Sequence, residues 1–176
     1  DHGDQPLAMF RYALHKEGVD YASLSPVDVG NAQAMDDAFR AGRGDYVHQQ
    51  GPAPQQLEHD EKGFVVASVG EAIGPVAFSS LMASRRWLGN IMVRAFMRAY
   101  RKARTYVVET PPEEIAAAQA HFFPRIEVEV LARAIASYQG LGCWTANPLI
   151  TRDAYDAALD VFLHAGAITR RHAYED

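Results

Sequence analysis

The sequence predicts an α/β fold, and three observations carry that expectation. Helix-period and strand-like segments alternate through residues 1–69. Beyond residue 83 the pattern turns helical throughout. Glycine and proline punctuate the changeover at Gly70-Glu71-Ala72-Ile73-Gly74-Pro75. Such alternation is what crossover helices on a parallel sheet leave in a sequence. The expected organisation is an α/β part over 1–69, a hinge or crossover over 70–75, and one more strand followed by helices over 76–176.

Each element has its own signal. Leu7, Phe10 and Leu14 recur at helical spacing over 5–17, with Pro6 suited to the first turn and Gly18 to the stop. Residues 24–29 read as a short strand after Pro26. Residues 31–41 read as a helix capped by Asn31 and ended by Gly42, with Ala32, Met35 and Phe39 on its inner face. Tyr46-Val47-His48 is a short strand candidate, and Pro52 introduces a helix over 53–60. Phe64-Val65-Val66-Ala67 is the strongest strand signal in the chain. Residues 76–83 read as one more strand.

Val93, Phe96, Tyr100, Ala103 and Val107 then form one helical stripe over 91–108. Thr110-Pro111-Pro112-Glu113 reads as a capping box opening a new helix. Val128, Leu131, Ile135 and Tyr138 predict a helix over 127–139, before Gly140. Thr151 opens a last one with Tyr155, Leu159 and Phe162, ended by Gly166. The first helix has no strand in front of it, although a parallel sheet needs one there. That strand is expected upstream of Asp1, so the chain is expected to be a piece of a longer protein.

Composition narrows the function classes. The 176 residues are 48% hydrophobic and 22% charged, a globular balance. The net charge of −5 gives no global attraction to nucleic acid. Cys143, the single cysteine, forms no internal disulfide and no CxxC or Cys/His zinc pattern. The seven histidines make no HxxxH or HExxH pair, and neither a P-loop nor a GxSxG elbow is present. Neither a catalytic constellation, a metal site nor a cofactor is expected. Residues 72–108 hold seven arginines and lysines and no acid (Arg85, Arg86, Arg94, Arg98, Arg101, Lys102 and Arg104). A run like this can steer an anion or bind nucleic acid, and more often is a solvated face balanced by acids elsewhere, here Glu109, Glu113, Glu114, Glu127 and Glu129.

Several stretches carry a family resemblance. Gly3-Asp4-Gln5-Pro6 opens a helix ending Lys16-Glu17-Gly18-Val19. Ala38-Phe39-Arg40-Ala41-Gly42-Arg43-Gly44-Asp45-Tyr46-Val47 runs on to Gly51-Pro52. Trp87-Leu88 precedes a helix with Ala95-Phe96 and Ala99-Tyr100-Arg101-Lys102-Ala103, and then Pro111-x-Glu113. In order and spacing these resemble the nitrate/sulfonate/taurine-type substrate-binding proteins of ABC importers, which include receptors for thiamine precursors. The resemblance implies a periplasmic binding protein type II-like fold: the second lobe, plus the C-terminal helical part of the first. It implies an exported, periplasmic, non-catalytic receptor. Its expected partners are a small anionic or heteroaromatic ligand and a membrane permease. A thiamine-pyrimidine-synthesis-type enzyme on the same fold and an α-rich interaction domain are the alternatives.

Two turns are the candidate ligand sites. Asp4 and Gln5 stand at a helix start, where free backbone N–H groups and the helix dipole suit an anion, although Asp4 serves equally as a simple cap. His48, Gln50 and Gly51 run off a strand candidate toward a helix, where open α/β sheets place ligands. Alternation along a strand favours His48 and Gln50 over Gln49 as the inward pair. Apolar stripes over 91–108 and 127–139 are expected to lack full cover, so a dimer or partner segment is expected to cover them.

Overall fold

A computed structural model describes residues 4–175, apart from the Asp4 side chain. It has two compact units. One comprises the described residues up to Val76 together with those from Arg152 on; the other runs from Ala77 to Thr151.

In the first unit, α1 (Asp4–Lys16) leads through a 3-10 turn (Tyr21–Ser23) to α2 (Ala32–Arg40), α3 (Ala53–His59) and the short α4 (Val69–Ile73). The start of α2 is set by Asn31, whose side-chain oxygen accepts from the Ala34 N–H at 3.0 Å. Gly42 follows it at φ 74°, a left-handed value that suits glycine after a helix. Ser68 caps α4 by accepting from the Glu71 N–H. α9 (Arg152–His164) closes the unit against α1, where His15 stacks on His164 with ring centroids 4.5 Å apart. The Lys16 ammonium donates to the Ile73 carbonyl at 3.0 Å, tying the end of α1 to α4.

The second unit holds α5 (Arg85–Leu88), α6 (Met92–Glu109), α7 (Pro112–Gln119), a 3-10 turn (Ala120–Phe122) and α8 (Val128–Gly140). Its core is the α7–α8 hairpin, in which Ile115, Ala116, Leu131, Ala132 and Ile135 are buried. Phe123, Ile126 and Trp144 pack around them. Thr110 does not cap α7. It ends α6, its N–H donating to the Tyr106 carbonyl, and its own carbonyl accepts from the Gln139 amide. Pro111 takes the cap position of α7 instead, with no side-chain cap bond.

The expected α/β architecture is not formed. Among the described residues there is no strand, so the periplasmic binding protein type II-like description of the fold is corrected to an all-helical one. Residues 24–29, 46–48, 64–67 and 76–83, each read as a strand, are irregular. A segment becomes a strand only by exchanging backbone hydrogen bonds with a neighbour, and β-propensity measures fit to a half-buried pleated surface. Phe64 and Val66 have no such surface, being 87% and 74% exposed. The Val65 N–H donates to the Glu58 carboxylate at 2.9 Å, a side-chain partner in place of a ladder. Part of the expected 70–75 hinge is α4, which Gly74 ends at φ 84°.

Candidate functional site

The strongest polar irregularity lies in the loop between α2 and α3. From Tyr46 to Leu57 no residue carries a formal charge, in a chain that is 22% charged. His48 lies half-buried against α1, its ring stacked on Phe10 with centroids 4.9 Å apart and planes 15° from parallel. Phe10 also meets Tyr21 edge-on at 6.4 Å, and the Arg11 guanidinium lies 4.3 Å from the Tyr21 ring centre. Burial pushes the His48 imidazole down from its ordinary value to about 4, so the ring is neutral at physiological pH.

Three polar atoms of His48 and Gln49 are shut away from solvent without a hydrogen-bond partner. They are Nδ1 of His48 and both amide atoms of Gln49, Nε2 and Oε1. The Gln56 Oε1 is in the same condition, while its Nε2 donates to Asp60 at 2.9 Å. Most buried polar atoms in native proteins are paired, and an unpaired one costs about 1–3 kcal/mol. Such costs concentrate where a protein binds or reacts.

The sequence-derived candidates are placed as follows. His48 is half-buried in this cluster. Gln50 is exposed and Gly51 half-buried, at a cis Gly51–Pro52 bond. Gln5 is half-buried in the first turn of α1, and the Asp4 side chain lies outside the described groups. His48 meets α1 at Phe10, five residues beyond Gln5 and roughly 7.5 Å further along the helix axis. Gln49, set aside by strand alternation, has the enclosed amide. The loop is not a strand, so a two-residue period has no hold on it. The charge-free run 46–57 is the signal that marks it.

Other groups are less convergent. Glu113, Val128, Glu129, Ala132, Arg133 and Ala136 line a half-open, mostly apolar groove on α7 and α8. Among the described residues no three His, Cys, Asp or Glu side chains are placed to share a metal ion. Burial pushes the Cys143 thiol up, away from the reactive thiolate. In the arginine-rich stretch Arg104 donates to the Thr145 carbonyl and hydroxyl. No described helix is long and apolar enough to cross a membrane.

The chain is 24% identical over 178 aligned positions to a Bacillus subtilis (strain 168) protein described as "Putative binding protein YtlA". The match takes in 98% of this chain and 52% of that protein, so the chain spans about half the length of the curated relative. No family model matches the chain. No solved structure matches it. The similarity supports a binding-protein relationship and stops short of the nitrate/sulfonate/taurine type.

Proposed function

We propose that this chain is part of a non-catalytic solute receptor, serving an ABC importer on the outer side of a bacterial inner membrane. The observation that carries the reading is the similarity to a protein described as a binding protein along 98% of the chain. The polar cluster at His48 and Gln49 supports it, since unsatisfied donors and acceptors are what a small solute would satisfy. The permease partner and periplasmic location follow from the sequence resemblance and belong to this proposal.

The test is a thermal-shift screen of the full-length protein against small anions, amides and heteroaromatic solutes. A ligand at a hundred times its Kd adds about 2.7 kcal/mol to stability, enough to move a melting curve by several degrees. A solute that raises the midpoint, and loses that effect when His48 is changed to alanine, supports the receptor. Chemical turnover of such a solute would overturn the non-catalytic reading, and a panel with no effect would overturn the receptor.

One observation favours a second reading, an α-rich interaction domain. α6 has no buried residue along its 18 positions, and Met92 and Phe96 on it are 60% and 44% exposed. Pull-down of a stable protein partner lost in Phe96→Asp, with no solute effect, would select that reading.

A further inference from the structure

Resting on the solute-receptor reading, we infer that Gln49 is an amide-reading subsite, and that its ligand is an uncharged molecule presenting a carbonyl beside an N–H, as in a primary carboxamide or a lactam. The inference starts from what Gln49 lacks. Its Nε2 donates to nothing and its Oε1 accepts from nothing, although both are closed off from solvent. A glutamine side chain offers a planar donor–acceptor edge. The partner that satisfies both atoms at once is another such edge turned the opposite way. The ligand carbonyl accepts from Nε2–H while the ligand N–H donates to Oε1.

Charge selects among the possible ligands. No formal charge occurs in sequence between Asp45 and Glu58, and Glu58 is engaged with the Val65 N–H. A carboxylate ligand would bring two acceptors to a group with one donor edge and leave Gln49 Oε1 facing a like partial charge. An amidinium would bring two donors and leave Nε2 unsatisfied. Either ion would also lose part of its hydration on entering, a cost that a neutral amide avoids. His48 Nδ1, equally closed off and unpartnered, adds a polar atom on the adjacent residue. Entry requires the Gln49 side chain to turn, and the exposed neighbouring Gln50 lies on the solvent side of the loop.

Three near-isosteric probes separate the cases: benzamide, benzoate and benzamidine. Ligand-observed NMR on the full-length protein suits their weak binding. Benzamide should bind at least tenfold more tightly than either ion. Gln49→Met keeps the length of the side chain and removes the edge; it should weaken benzamide at least tenfold. Gln49→Glu should exchange the preference, losing benzamide and gaining benzamidine, a result that loss of folding does not produce. Benzoate binding as well as benzamide would overturn the inference, as would benzamide binding equally to Gln49→Met. A solute found in the thermal screen that keeps its effect in Gln49→Met would leave the receptor reading standing while sinking this one. Failure of probes and screen together would remove both.

Discussion

His48 shows how one side chain's burial becomes a property of the whole protein. Its folded-state value of about 4 lies below the ordinary 6.5, because burial disfavours the charged ring. Between those two values the unfolded chain therefore binds more protons than the folded one. Stability rises with pH through that window, is fully present above about pH 6.5, and is lost as the pH falls toward 4. At roughly 1.4 kcal/mol per unit the loss approaches about 3 kcal/mol. Urea unfolding at pH 7.0, 5.5 and 4.5 should show it, and His48→Phe, which keeps a ring on Phe10, should flatten the slope. Equal slopes in both proteins would place the pH sensitivity elsewhere. At this scale the sequence marked His48 as a polar group that could turn inward. It did not mark the Phe10 contact, which joins residues 38 positions apart in the chain.

Among the elements, local signals were legible wherever the interaction that decides them is local. The Asn31 side chain reaches a backbone N–H three residues on, so the cap was readable before any fold was known. Ser68 and Ser84 cap α4 and α5 by the same reach, to Glu71 and Trp87, yet neither helix was expected, because helices this short leave little periodicity. Thr110 has the right neighbours for a cap and does another job, because α6 runs on to Glu109 and needs its last turn closed. Energetics should sort the elements in the same way. Asn31→Ala removes one capping bond and should cost about 1 kcal/mol. Ile115→Ala empties a site that is 1% exposed between α7 and α8 and should cost about 2–5 kcal/mol. Ile91→Ala, at a residue 85% exposed, should stay within about 0.5 kcal/mol of wild type. Chemical denaturation of the three variants checks the order; an Ile91 cost matching that of Ile115 would mean that Ile91 is covered in solution.

For the molecule as a whole, uncovered apolar surface is the dominant fact. Phe64, Val66, Leu81, Met82, Ile91 and Met92 are each at least 60% exposed. Single exposed apolar residues are ordinary, but a helix with no buried position beside runs of this kind favours association. Sedimentation of the chain, 19.4 kDa as a monomer, should show a larger species that grows with concentration and with salt. The double variant Met92→Ser, Phe96→Ser should shift it back toward monomer. A monomer at every concentration and salt level would contradict the expectation.

The amino-acid sequence alone determined where the principal helices run. Helical hydrogen bonds close within four residues, and apolar spacing, Asn31, Pro112 and Gly166 act over the same short distance. It also excluded the common catalytic motifs, which are readable as strings. Strands were beyond its reach, because the partner that makes Phe64-Val65-Val66 a strand is remote in the chain and propensity cannot supply it. Only the tertiary structure decided that these segments stay unpaired, that α9 packs on α1, and that Gln49 is the residue turned inward with its amide unsatisfied. Each of those outcomes depends on contacts between parts of the chain far apart in sequence, and burial exists only once those contacts have formed.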